Sequence, residues 1–150
     1  PDINNLLIHK KKKKIGKVEF FNSKNKNISL DIYKQNLVII NFWATWCAPC
    51  KEEMPHLDQL VLKSKFKDIK IIPINIADEK LDKSREFFRE LKINNLDIFY
   101  GSSLDLAKEF KLRGIPTTIF IDKEGYEFAR VIGFIDFENK FFLDWLSNYL

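Results

Sequence analysis

A run of apolar residues, Leu37–Trp43, broken only by Asn41, leads through Ala44-Thr45-Trp46 into Cys47-Ala48-Pro49-Cys50. Its β-branched content and length suit a strand buried on both faces, which needs a covered sheet around it. Past the cysteines the apolar period changes. Met54, Leu57, Leu60 and Val61 fall on one helical face and predict a helix over Ala48–Ser64, with Pro55 expected to kink it. A buried strand running straight into a helix, with two cysteines at the junction, constrains the chain more than any other feature.

The flanking sequence extends the alternation. Val18–Phe21 and Ile28–Leu30 read as a hairpin around the polar stretch Asn22–Asn27. Ile69–Ile76 reads as a strand, although Pro73 removes a ladder donor. Leu81–Leu91 is predicted helical, Leu96–Tyr100 a short strand, and Ser103 the cap of a helix carrying Leu104, Ala107 and Phe110. Ile115–Asp122 and Tyr126–Ile132 form strands around the turn Lys123-Glu124-Gly125. Asp136 is placed as N-cap of a last helix with the stripe Phe141, Phe142, Trp145, Leu146 and Tyr149. Strands alternating with helices predict one α/β domain, residues 15–150, with a central mixed, mostly parallel sheet covered on both faces. Residues 1–14 read as a flexible basic lead-in.

Charge narrows the partners. Lys10–Lys14 supply five of the 25 basic residues, and Asp2 is the only acid before them; residues 15–150 carry 20 basic and 20 acidic side chains. A nucleic-acid binder needs a basic face on its folded body, so none is expected here. The lysines themselves suit a solvated tail with weak affinity for an anionic surface. The 14 Phe and three Trp are assigned to the core. No apolar stretch is long enough to span a bilayer. No signal peptide is visible, and because the sequence opens on Pro1, removal of an N-terminal signal or anchor is expected.

The cysteine count selects the chemistry. A disulfide framework would distribute several cysteines, and a structural zinc site asks for four ligands, whereas this chain adds only His9 and His56 to its single Cys-x-x-Cys. No metal is expected; His56 lies six positions past Cys50, a poor spacing for a shared ion. A lone pair three apart fits dithiol–disulfide exchange, with no cofactor beyond the pair itself. Cys47, at the helix start, would meet unpaired N–H groups and the positive end of the helix dipole, which lower a thiol pKa; Cys50 would lie one turn inside and resolve the mixed disulfide. Ala48 and Pro49 hold the turn, and Trp46 is expected to pack beside Cys47. A peroxidase reading is weak, since the pattern Pro-x-x-x-Thr-x-x-Cys would place threonine where Ala44 stands.

The stretch Asn41–Pro55, together with Arg113-Gly114-Ile115-Pro116-Thr117-Thr118 and the strand and turn that follow, resembles TlpA/ResA-type thioredoxin-like proteins, extracytoplasmic bacterial thiol oxidoreductases. The resemblance covers about residues 18–150, including an insertion between the Ile69–Ile76 strand and Gly114. It implies a thioredoxin-like fold with an N-terminal hairpin. Pro116 is then a cis proline facing the cysteines, and Trp46, Ile115 and Thr117 join it in contacting substrate. Glu53, three residues past Cys50, becomes the acid that relays protons to it. Asn41 stands where plain thioredoxins keep a buried Asp. The same resemblance implies a periplasmic protein anchored to the inner membrane in full length. It would reduce protein disulfides, such as those of apocytochrome c or of copper-site assembly proteins of cytochrome oxidase, and be recycled by a transmembrane thiol reductase. Net oxidation or isomerisation is one alternative. A Cu(I) chaperone using the two thiolates is another.

Overall fold

In the computed structural model, which describes residues 3–150, strand β4 (Val38–Trp43) lies deep in an eight-stranded sheet and every one of its residues is buried. The strands are β1 (Leu6–Lys14), β2 (Glu19–Asn22), β3 (Asn27–Ser29), β4, β5 (Lys70–Asn75), β6 (Phe99–Tyr100), β7 (Thr117–Ile121) and β8 (Tyr126–Ile132). The helices are α1 (Ala48–Val61), α2 (Leu81–Glu90), α3 (Ser103–Phe110) and α4 (Lys140–Ser147). Across the sheet the order is β1-β8-β7-β4-β5-β6-β2-β3. The sheet is mixed, as expected, but its parallel part is confined to β4, β5 and β6. Those strands are joined by helical crossovers, while the hairpins β2–β3 and β7–β8 and the added edge strand β1 pair antiparallel.

Alternation along β4 builds two cores. Ile39 and Trp43 face a cluster that includes Met54, Leu57 and Leu60 of α1, Phe87 and Phe88 of α2, and Phe142 and Leu146 of α4. Val38, Ile40 and Phe42 face the other, with Leu106 and Phe110 of α3 and Phe20 of β2. Trp43 is fully buried, its ring centroid 4.6 Å from that of Phe87. Pro73 costs β5 nothing in pairing. The N–H groups of Lys70 and Ile76 point to β4, so the nitrogen of Pro73 points the other way, to a level β6 does not reach, since β6 first pairs at Ile74.

Several expectations change in the structure. The segment read as a flexible lead-in is β1, paired to β8 from Leu6↔Val131 to Lys14↔Tyr126 with an irregularity between Ile8 and Lys13; Pro1 and Asp2 lie outside the described residues. His9 Nε2 meets Glu127 Oε2 at 2.6 Å, and Glu127 also accepts from Arg130 Nε at 2.7 Å, so β1 is tied to β8 by side chains as well as backbone. Burial pushes the Glu127 carboxyl up, but the bonds from Arg130 and His9 outweigh it and hold the carboxyl below its ordinary value. The cap of α3 is Ser102 rather than Ser103, and Leu104 is exposed while Leu106 and Phe110 turn inward. The cap of α4 is Asn139, whose side chain accepts from the Phe141 and Phe142 N–H groups; Asp136 forms a tight turn just before it. No helix among the described residues is long and apolar enough to cross a membrane.

Candidate active site

β4 ends at Trp43, and the chain turns through Ala44–Trp46 to reach the first turn of α1, with Cys47 as its N-cap. Pro49 fits there because the first helical N–H groups have no intrahelical partner to lose. Cys50 N–H donates to Cys47 Sγ at 3.3 Å, so sulfur occupies the place usually taken by a capping oxygen. Cys47 and Cys50 form a disulfide with Cα atoms 5.2 Å apart. Cys47 is 5% exposed and Cys50 not at all, which leaves Cys47 as the sulfur a partner can touch. Once the pair is reduced, the helix N-terminus and the Cys50 N–H favour negative charge on Cys47.

Glu53 sits one turn deeper on the same helix and is completely buried. Its Oε1 accepts from Asn41 Nδ2 at 2.7 Å and its Oε2 from Ile135 N–H at 3.2 Å. Asn41 Nδ2 also donates to Thr118 Oγ1 at 3.1 Å, while Asn41 Oδ1 accepts from none of the described residues. Burial pushes the Glu53 carboxyl up to about 7, against the two hydrogen bonds, which lower it. A carboxyl poised there, three residues along α1 from the inner cysteine, can hold or release a proton near neutrality.

The Ile115–Pro116 peptide is cis. Pro116 is buried, and Thr117, the first residue of β7, pairs with Phe42 of β4 and donates its hydroxyl to Gly114 O at 2.7 Å. Trp46, expected to pack against Cys47, is instead 71% exposed. It shares the wall of a shallow apolar depression of about 240 Å³ with Ile115, Ile76, Ala77, Ala107 and Leu112. Ala107 belongs to α3 and Leu112 follows it. The fold thus brings Trp46 and Ile115 together at the surface and buries Glu53 between α1 and Asn41 of β4. His56 Nδ1 lies 2.5 Å from Glu138 Oε2.

Glu79 is a site residue that sequence reading misses. Its Oε1 accepts from Thr45 N–H at 2.9 Å and Asn75 Nδ2 at 3.0 Å, and its Oε2 accepts from the Thr45 hydroxyl. Burial pushes this carboxyl up, but the bonds from Thr45 and Asn75 outweigh that and hold it below its ordinary value. The loop two residues before Cys47 is therefore pinned to the end of β5. Glu79→Ala leaves the Thr45 donors unpaired and is expected to cost roughly 1–3 kcal/mol. Urea unfolding of the oxidised protein measures the loss, and faster amide exchange at Thr45–Cys47 locates it. Glu79→Gln, which keeps an acceptor, should recover most of it.

A model of the AhpC/TSA family matches residues 12–126. The chain belongs to the AhpC/TSA family. The thiol-disulfide oxidoreductase ResA of Bacillus cereus is 32% identical over 108 residues, covering 72% of this chain and 61% of that protein. The chain spans between 49% and 61% of the length of the curated relatives it matches. A solved structure from Chlorobium tepidum, provisionally named thiol:disulfide interchange protein DsbE, superposes with a TM-score of 0.79 at 20% identity, over 93% of this chain and 96% of the other. The exposed lipoprotein thioredoxin of Streptococcus pneumoniae superposes at 0.73 with 24% identity, over 90% and 100%. These likenesses are of fold: the domain is thioredoxin-like, as the sequence resemblance implies. This AhpC/TSA member carries a Cys-x-x-Cys disulfide at the helix start and the buried Ala44 three residues before it.

Proposed function

We propose that the chain is an extracytoplasmic thiol–disulfide oxidoreductase that works as a reductase of protein disulfides. The observation that carries the exchange chemistry is the Cys47 sulfur at the helix N-terminus, accepting the Cys50 N–H, with Cys50 sealed behind it; the reductase direction rests on the family resemblance. In the dithiol form, Cys47 as thiolate attacks one sulfur of a substrate disulfide. The other substrate sulfur leaves and takes a proton, and a mixed disulfide joins Cys47 to the substrate. Glu53 as carboxylate accepts the Cys50 proton. Cys50 sulfur then attacks Cys47 Sγ, the second substrate sulfur departs as thiol, and the Cys47–Cys50 bond re-forms. Two electrons have moved to the substrate, and an external dithiol must return them.

Trp46, Ile115, Pro116 and Thr117 are assigned to the substrate side of this exchange, since Trp46 and Ile115 share the depression and Pro116 leads into β7. The curated relatives' name supports thiol–disulfide exchange, and the family resemblance favours a periplasmic protein, anchored to the inner membrane in full length, acting on cytochrome c or cytochrome oxidase assembly proteins and recycled by a transmembrane thiol reductase. Reduction of insulin by the protein with dithiothreitol is the first test. The wild type should accelerate precipitation, and Cys47→Ser should fall to the rate of dithiothreitol alone. Equilibration with glutathione then sets direction. A potential well above that of the surrounding thiol pool would overturn the reductase assignment in favour of an oxidase.

A further inference from the structure

The whole charge excess of this protein lies on one edge strand. Lys10–Lys14 belong to β1, all five are exposed, and residues 15–150 are balanced at 20 basic and 20 acidic side chains. Of the five, only Lys12 is paired among the described residues, to Asp122 at 2.7 Å. The acids nearby are largely engaged. Glu127 is buried against Arg130 and His9, and Asp31 faces Lys34 at 3.7 Å. Exposed Glu124 lines the surface beside Lys11, Lys12 and Lys14 and offsets one of the lysine charges. Lys10, Lys11, Lys13 and Lys14 therefore leave a net positive strip along the rim of the sheet.

The strip also has a defined place. Pairing aligns Val38, Ile121, Glu127 and Lys13 in one row across β4, β7, β8 and β1, while Phe42, Thr117 and Ile132 form the row nearest the disulfide. The rows are four residues apart, roughly 13 Å along the strands, and the cysteines lie beyond the second. We propose that the lysine edge of β1 is a docking surface for an anionic lipid bilayer, which it meets with the disulfide turned away from the membrane. Lysines suit this role because an ammonium is a compact charge on a flexible stem that needs no fixed geometry in its phosphate partner. The strip carries no arginine fork and no cluster of exposed aromatic rings of the kind that reads nucleic acid. A strand rim with its side chains splayed to both faces gives a line of contact fit for a plane.

The test uses the full chain and vesicles of phosphatidylcholine with or without roughly one-third phosphatidylglycerol, at low salt, where each lysine at an anionic surface contributes roughly five-fold to partitioning. Cosedimentation is expected only with the anionic vesicles and should vanish at high salt. Replacing Lys10, Lys11, Lys13 and Lys14 by Gln should lower partitioning at least ~100-fold, with insulin reduction unchanged. A control with the same charge loss elsewhere, Lys24, Lys92, Lys108 and Lys140 to Gln, should lose far less. Three results would overturn the proposal: no binding by the wild type, equal losses in the two quadruple variants, or preference for double-stranded DNA over the vesicles in competition. All leave the redox assignment standing, and a protein inactive on insulin that still binds vesicles would separate the two the other way.

Discussion

Incubated with its single remaining thiol reduced and a disulfide-bonded substrate present, Cys50→Ser is expected to stall with that substrate attached through Cys47. The inner sulfur is the one with no exposure and cannot be reached from solvent once the outer one is engaged. Removing it deletes the second attack and leaves the first intact, so the mixed disulfide accumulates to near stoichiometry while multiple turnover disappears. Non-reducing gels with mass spectrometry measure both. The opposite variant, Cys47→Ser, should form no adduct. Adducts at Cys50 in Cys47→Ser, equal to those at Cys47 in Cys50→Ser, would show that the buried sulfur is the nucleophile and would invert the assignment of roles.

The second large effect concerns Glu53. Its carboxyl is raised from 4.5 to about 7 by burial. A carboxyl raised on folding stabilises the native state below its unfolded value and loses that contribution as pH climbs through the folded value. The sign is therefore opposite to that of a paired surface acid. For this shift the loss amounts to about 3 kcal/mol between roughly pH 4.5 and pH 8.5. Glu53→Gln removes the titration. The oxidised variant should match the wild type near pH 5 and exceed its stability by about 3 kcal/mol near pH 8.5. Urea unfolding at the two pH values checks this. A wild type whose stability is flat over the range would mean that Glu53 titrates like a surface glutamate. In exchange assays the same variant should flatten the pH dependence of the resolving step, because Cys50 loses its proton acceptor.

Much of this was legible because the chemistry sits on the most strongly patterned part of the chain. Leu37–Trp43 had to be a two-faced strand, and its junction with a helical apolar period located Cys47 at an N-terminus. What escaped had competing local readings. Lysines are the usual mark of a solvated tail and also of a sheet edge protected from unwanted pairing; only the open side of β8 decides between them. Ser102 and Ser103 are equally good caps in sequence, as are Asp136 and Asn139. In each case the cap proved to be the residue adjoining the first helical turn, and Asp136 was drawn into a turn of its own. Glu53 was identifiable by its spacing from Cys50, but its complete burial was not, since neighbouring Glu52 is exposed. The Thr45–Glu79 contact joins residues 34 apart, and no local pattern announces it.

The hydrogen bond from Cys50 N–H to Cys47 Sγ links two quantities that are measured separately. Folding and reduction form a closed thermodynamic cycle. Any preference the first turn of α1 has for an anionic over a neutral sulfur raises the stability of the folded dithiol relative to the folded disulfide. By the same amount it makes that disulfide readier to take electrons. Tightening the turn shifts the protein toward an electron acceptor and loosening it shifts it toward a donor, so Ala48 and Pro49 are positions at which the potential can be tuned without touching a substrate.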